Sequence, residues 1–385
     1  MSARLEKYLD RWTGSGIIDR TTADRIRAFE TQQEKAHGMR WPVLLAVAFG
    51  GLLLCAGVLL FVAAHWDTLP PGGRFGLVLA MVALFHLAGA LSAERFPPLS
   101  TSLHAVGTIS LGAGIFLAGQ IFHLQEHWPG GVMLWAIGAG AAWALLRDWP
   151  QAALLAMLIP VWLGGEWIEA MGGRHGGEKV LAEGLLLLAL TYLSALTPEQ
   201  DSSIRKALAW IGGIALIPLT VFTAVSGSFH YRHGQPLPEG LLVAGWAAAL
   251  AGPLALSWLL RRKAAWMNVI ATLWVILLGT TSFERHGVPG GLFSQIWKDL
   301  GFYLVSAAGS IALVFWGLSE ARRERINLGV AGFALTILGF YFSTVMDKLG
   351  RSASLVGLGL LFLLGGWLLE KMRRRLMERL QRGEP

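Results

Sequence analysis

A succession of long apolar segments limits most strongly what this chain can fold into. From Trp41 onward, twelve segments come close to the roughly twenty apolar residues that a helix needs to cross a bilayer. Because lipid offers no hydrogen bonds to the backbone, each segment is predicted to be a helix. The expected fold is an all-α, polytopic integral membrane protein with about twelve transmembrane helices. Their approximate bounds are 42–64, 74–92, 103–122, 131–147, 150–167, 180–196, 206–225, 240–260, 264–282, 300–318, 326–345 and 354–370.

Composition supports a membrane protein and argues against other classes. Of 385 residues, 54% are hydrophobic and 15% are charged, whereas ordinary soluble proteins carry about 25% charged residues. The net charge of +7 comes from basic residues at the ends of apolar segments, so the lipid bilayer is the expected partner and nucleic acid is not. The single cysteine, Cys55, excludes an intrachain disulfide and a cysteine-based zinc cluster. No cofactor is expected.

The distribution of basic residues predicts the orientation. With the N-terminus inside, 24 of the 32 Lys and Arg residues fall on the cytoplasmic side. This bias predicts that both termini are cytoplasmic and that the number of spans is even. The clusters Arg261–Lys263, Arg322–Arg323 and Arg373–Arg375 are then expected to anchor the topology rather than to bind a ligand.

Three regions are expected along the chain: 1–40, 41–372 and 373–385. The first is predicted to be a short cytoplasmic helical hairpin, whose second helix starts near Asp19 and Thr21. Such a hairpin could pack on the membrane domain or dock a cytoplasmic protein partner. The second region is the transmembrane domain, and the third is a basic cytoplasmic tail. The first apolar segment is expected to serve as its own insertion signal.

The candidate site consists of polar residues at the predicted outer ends of spans 1, 3, 5 and 11. In the third span, Gln120 and His123 share a helix face with Gly112, Phe116 and Gly119. The expected ligand-binding residues are Asp67, Gln120, His123, Asp347 and Arg351. Secondary candidates are His65, His86, Glu166 and Glu183, of which His86 and Glu183 lie at membrane depth, where ionisable groups are costly.

Three interpretations of this cluster remain open from the sequence. His65, Asp67, His123 and His127 could supply metal ligands, but no HExxH-type spacing accompanies them, and no metal site is predicted. A histidine between carboxylates could act as a general base, with Arg351 holding an anion. In the third interpretation, the tryptophans form an interfacial belt, and His and Gln side chains bond the backbone at helix ends.

Some spans carry features that favour close packing. Pro160, Pro218 and Pro253 each free a backbone carbonyl inside a helix, so these helices are expected to face protein or water at those depths. Ser306 and Ser310 are expected to allow close approach of a neighbouring helix.

Several motifs resemble a known family. They are the run Ala63–Asp67, the segment Gly119–Leu124, Trp135, and the closing blocks Asp347–Ser352 and Trp367–Arg375. Together they resemble bacterial predicted membrane proteins of the domain-of-unknown-function family 2157. The family's pattern has Asn and Tyr at two positions where this chain has His65 and Phe122. The resemblance implies a polytopic protein of the bacterial inner membrane, and it implies no catalytic residues.

The leading functional hypothesis is a protein that binds and moves a small or lipid-linked molecule through a polar cavity near the outer face. One alternative is an integral-membrane enzyme acting on an envelope lipid or glycan, with His123 as base and Arg351 as anion clamp. Another is a membrane scaffold or signalling protein that uses its N-terminal hairpin.

Overall fold

The computed structural model is built of helices within the residues that it describes. An isolated bridge between His175 and Pro236 is its one extended pairing within the described residues. Those residues are 11–37, 70–122, 127–197, 202–226, 235–281 and 292–345, with single positions at 9, 49–50, 53, 57, 60, 359–360, 363, 367 and 371.

Eleven labelled helices account for most of the described residues. In chain order they are α1 (Arg20–His37), α2 (Pro71–Ser92), α3 (Pro97–Phe122), α4 (Trp128–Leu146), α5 (Trp149–Met171), α6 (Glu178–Leu193), α7 (Ser203–Ser226), α8 (Glu239–Arg261), α9 (Trp266–Thr280), α10 (Leu292–Ser319) and α11 (Arg323–Phe340). A 3-10 turn at Arg262–Ala265 joins α8 to α9, and a π-helical turn at Tyr341–Val345 follows α11.

Eight stretches within the described residues are long and apolar enough to cross a membrane. One of them, Glu239–Thr280, covers both α8 and α9, which the sequence predicts as two separate spans. The predicted spans 42–64 and 354–370 lie outside the described residues apart from single positions. The all-helical membrane architecture is therefore confirmed, while the number twelve stays a prediction.

The predicted span 180–196 forms α6, a helix of 16 residues, of which ten are buried. Leu186, Leu187 and Thr191 are fully enclosed. A helix that is apolar on all sides is either buried among other helices or surrounded by lipid, and the burial of α6 shows the first case. α7, α8 and α9 all pack against α6, which makes it the central helix of the second of two compact units, Thr108–Pro385.

Pro160 leaves a backbone carbonyl of its own helix without a donor, and a neighbouring helix supplies one. Pro160 lies inside α5 and cannot donate to the carbonyl of Ala156, four residues earlier. The hydroxyl of Tyr192 on α6 donates to that carbonyl instead, at 2.8 Å. For Pro160, the expectation that a proline-bearing span faces protein is confirmed.

The predicted start of the second N-terminal helix is also confirmed. α1 begins at Arg20, and the carboxylate of Asp19 accepts a hydrogen bond from the backbone N–H of Thr22 at 3.2 Å. The hydroxyl of Thr21 also donates to Asp19, and these bonds hold the pKa of Asp19 below its ordinary value. Residues 11–14 are helical as well, and the pairing of the two helices as a hairpin stays a prediction.

Candidate functional site

Most of the predicted outer cluster lies outside the described residues. This applies to Asp67, His123, Asp347 and Arg351, and to the secondary candidate His65. Their convergence on one cavity stays a prediction, and so does the catalytic hypothesis based on His123 and Arg351. Within the described ranges there is no group of three or more His, Cys, Asp or Glu side chains suited to a metal ion.

Gln120 is exposed near the end of α3. The small-residue face of the same helix packs closely in the second unit. Trp135 of α4 places its ring directly on Gly112 and donates its indole N–H to the carbonyl of Thr108 at 2.9 Å. Trp135 therefore joins α3 to α4 as a packing residue.

Glu166 belongs to a small network between α4 and α5. Its carboxylate lies 2.8 Å from Nε2 of His127, and it accepts the indole N–H of Trp162 at 3.0 Å. Nearby, Trp128 donates to Glu169 at 2.8 Å. The side chains of His127 and Glu166 are 52% and 40% exposed. Tryptophans bonded to polar groups at helix ends are typical of a membrane interface.

His86 pairs with a histidine that the sequence analysis did not single out. In the first unit, Met1–Gly107, Nδ1 of His86 lies 3.0 Å from Nδ1 of His104. The ring of His86 packs on Gly107, and the ring of His104 packs on Gly89. The signal for this contact is a repeated pattern, His-x-x-Gly, in two consecutive helices.

Glu183 is 4% exposed on α6, and its carboxylate lies directly against Gly279 of α9. A side chain at position 279 would collide with the carboxylate. The close approach of two helices at a glycine therefore provides the space for this buried acid.

A cavity of about 800 Å³ in the second unit is suited to a ligand. We call it the slot. It lies among α6, α7, α9, α10 and α11 and runs along α10 from Phe302 to Ser319. Seventeen residues of helix correspond to about 25 Å, which is close to the roughly 30 Å thickness of a bilayer's hydrocarbon core.

The wall of the slot is predominantly apolar, with Leu, Ile, Val, Ala, Met, Phe and Trp side chains on all sides. Its rim includes side chains that are between 49% and 66% exposed, namely Val221, Ile270, Phe315 and Leu335. The slot is therefore open at the outer surface of these helices. A cavity of this size and lining matches small-molecule sites in general.

Hydroxyl groups occur along part of the slot, and most of those with a defined partner bond their own helix. Thr220 donates to the carbonyl of Leu216 and Thr336 to that of Gly332, each at 2.8 Å. Ser306 differs, because among the described residues nothing bonds its Oγ, although the residue is 5% exposed. The slot thus contains one buried polar group whose hydrogen bond is open to a ligand.

One end of the slot adjoins a cluster of arginines that closes the C-terminus of α6. The last carbonyls of a helix lack partners within the helix and carry partial negative charge. In this protein the four carbonyls that directly follow α6, at residues 194–197, accept hydrogen bonds from arginines of α7, α8 and the start of α11. The pairs are Arg261 with Ser194 at 2.7 Å, Arg205 with Ala195 at 2.6 Å, Arg325 with Leu196 at 2.7 Å, and Arg322 with Thr197.

Glu320 and Trp316 complete this arginine cluster. Glu320 bonds both Arg261 and Arg325, whose side chains are 0% and 2% exposed. Burial alone would raise the pKa of Glu320, but bonds from Arg261 and Arg325 and the charge of Arg325 outweigh it and hold the pKa below its ordinary value. Both guanidinium groups also stack on Trp316, at 5.1 and 5.0 Å from the ring centre. Trp316 lines the slot as well.

A comparison with protein families gives one match. Residues 10–152 match the family described as predicted membrane protein, DUF2157. The resemblance seen in the sequence is confirmed over these residues, and the chain is a membrane protein with several apolar helices. No curated protein and no solved structure matches it. The match ends before α6, so the slot and the arginine cluster lie outside the matched region.

Proposed function

We propose that this membrane protein binds a lipid or lipid-linked molecule, with an acyl chain in the slot, and moves that molecule between the two sides of the membrane. The observation that carries the proposal is the apolar slot of about 800 Å³ among α6, α7, α9, α10 and α11. A long, apolar cavity with lipid-facing residues on its rim suits a hydrocarbon chain better than it suits a small polar solute.

Binding of a chain from the bilayer cannot depend on the hydrophobic effect. Each methylene group that leaves water contributes about 0.8 kcal/mol, but a chain already in lipid gains no such free energy on entering the slot. Binding then depends on dispersion contacts with the wall and on any hydrogen bond that lipid cannot offer. The slot extends over most of α10, which supports movement of the head group from one leaflet to the other.

Filling the slot tests the proposal. Ala312 lines the slot and is exposed on α10, so Ala312→Trp should occupy the cavity without disturbing the core. Ala308 is exposed on the same helix one turn earlier and does not line the slot. Ala308→Trp is therefore the matched control.

Two measurements separate binding from movement. Native mass spectrometry of the purified protein with dipalmitoyl phosphatidylglycerol should show a bound lipid, which Ala312→Trp removes and Ala308→Trp retains. In proteoliposomes, a fluorescent phosphatidylglycerol should change leaflets faster with the wild type than with Ala312→Trp. Equal binding by all three proteins would contradict the slot as the lipid-binding site. Binding without accelerated movement would contradict the transport part of the proposal and leave the binding part in place.

A further inference from the structure

Ser306 has an environment that an ordinary helical serine does not have. Serine and threonine side chains inside a helix commonly donate to a carbonyl three or four residues earlier, as Thr191 and Thr272 do in this chain. Ser306 is buried, lines the slot, and has no hydrogen-bond partner among the described residues. An unpaired buried hydroxyl is unfavourable, so its partner is expected to arrive with the ligand.

We infer that the hydroxyl of Ser306 donates a hydrogen bond to the ester carbonyl oxygen of an acyl lipid bound in the slot. This inference rests on the proposed function and names the chemical group that the slot recognises. A carbonyl oxygen accepts hydrogen bonds and brings no donor of its own. A ligand hydroxyl would bring a second donor into an apolar cavity, and with Ser306 oriented as in the structure, two hydroxyls bonded to each other leave one donor without an acceptor.

The position of Ser306 along the slot agrees with an ester linkage. From Ser306 to Trp316, where the slot meets the arginine cluster, there are ten residues of α10, or about 15 Å. One leaflet contributes about half of a hydrocarbon core that is about 30 Å thick. An ester at Ser306 therefore directs its acyl chain towards Trp316 and its head group towards Phe302, where α10 lines the other end of the slot.

Two of the neighbouring hydroxyls do not compete for the carbonyl. Thr220 and Thr336 already donate within their own helices. Ser310 lies one turn from Ser306, and its Oγ faces Gly332 of α11, where a side-chain carbon would be 2.9 Å away. Ser310 also lines the slot, but it is less buried than Ser306 and its Oγ lies at the packing contact with Gly332.

An ester–ether comparison tests the inference directly. Two lipids are compared by native mass spectrometry: dipalmitoyl phosphatidylglycerol and its dihexadecyl ether analogue, which has the same chains without carbonyl groups. The wild type is expected to prefer the ester by about fivefold, the usual effect of one net hydrogen bond. Ser306→Ala should bind both lipids equally, and the control Thr220→Val should keep the preference.

Stability of the lipid-free protein gives an independent readout. If Ser306 has a purely structural role, Ser306→Ala should unfold more easily than the wild type. If its hydroxyl is kept for the ligand, the lipid-free variant should be as stable as the wild type or more stable, because an unpaired buried hydroxyl is removed. Only its stabilisation by the ester lipid should decrease.

The outcomes distinguish this inference from the proposed function. Binding of neither lipid, in any variant, would overturn the slot as a lipid site and the inference with it. Equal binding of ester and ether lipids by the wild type would overturn the role of Ser306 and leave chain binding in place. A preference for the ester lipid that persists in Ser306→Ala would also overturn the role of Ser306.

Discussion

Trp316 donates its indole N–H to the carboxylate of Glu320, one helical turn further along, at 2.7 Å. The same ring forms part of the slot wall and lies against Arg261 and Arg325. A single side chain therefore contacts both the proposed ligand space and the arginines that hold the end of α6. The stability of the arginine cluster and the shape of the slot depend on each other through Trp316.

Replacing Glu320 by Gln is expected to destabilise the protein by about 3 kcal/mol, because removing one partner of a buried ion pair leaves charges without compensation. Arg261 and Arg325 would both lose their carboxylate. Thermal unfolding in detergent should show a lower midpoint. Glu324→Gln is the control, since Glu324 is exposed at the start of α11. Equal midpoints for the two variants would contradict a stabilising role for Glu320.

The lowered pKa of Glu320 predicts a pH dependence with a definite sign. A carboxyl group whose pKa is lower in the folded protein stabilises it fully above the pKa of the unfolded chain, about 4.3 for glutamate. This contribution is lost as the pH falls through the lower, folded pKa. The wild type should therefore lose more stability than Glu320→Gln between neutral and acidic pH. If the melting midpoints of the wild type and Glu320→Gln fall by the same amount between neutral and acidic pH, the pH dependence does not come from Glu320.

Replacing Arg325 by Lys is expected to cost about 2 kcal/mol despite the conserved charge. The guanidinium of Arg325 bonds Glu320 and the carbonyl of Leu196 at the same time, at 2.6 and 2.7 Å, and it stacks on Trp316. An ammonium group lacks the planar fork that makes these contacts together. Arg323→Lys, at an exposed position of α11, should be nearly neutral. The free energies of unfolding of both variants in detergent provide the comparison.

The membrane helices could be predicted because each one is a continuous run of about twenty apolar residues in the sequence. The sequence also predicts Arg261 and Arg322 as topology anchors, and it does not reveal that they bond the carbonyls of Ser194 and Thr197. Those partners are more than sixty residues away in the chain, and no periodicity links them. The slot was missed for the same reason, because a cavity depends on how five helices pack and not on any one of them.

For two polar residues the sequence indicates that the residue matters, while its contact partner is known only from the folded structure. The sequence identifies Glu183 as a group that needs an explanation at membrane depth, but its contact with Gly279 of α9 requires the folded structure. His86 was singled out alone, although the His-x-x-Gly pattern recurs at His104 and could have indicated the pair. Such a pattern becomes meaningful only when two helices are known to be antiparallel neighbours.

The His86–His104 contact predicts a specific compensation between substitutions. Gly107→Ala would place a methyl group 2.8 Å from the ring of His86, so it should destabilise the protein by about 1 to 2 kcal/mol. In a His86→Ala background the same substitution should cost almost nothing, because the ring is gone. Gly76→Ala on α2, where no atom lies within 4 Å, is the control. A cost of Gly107→Ala that is unchanged in the His86→Ala background would exclude the ring as its cause.

Two substitutions of Trp316 separate its hydrogen bond from its ring contacts. Trp316→Phe removes the N–H that Glu320 accepts but keeps an aromatic face for the arginines, so a loss of about 1 kcal/mol is expected. Trp316→Leu also removes the aromatic face that both Arg261 and Arg325 stack on, and each such contact is worth about 0.5 to 2 kcal/mol.

The Leu variant should therefore unfold at a lower temperature than the Phe variant, although leucine is a suitable residue for an apolar wall. Trp258→Phe and Trp258→Leu, at a position that is 65% exposed on α8, control for the general effect of removing a tryptophan. If Trp316→Phe and Trp316→Leu have the same unfolding midpoint, the stacking contributes nothing measurable. The hydrogen bond to Glu320 would then account for the contribution of Trp316 to the stability of the arginine cluster.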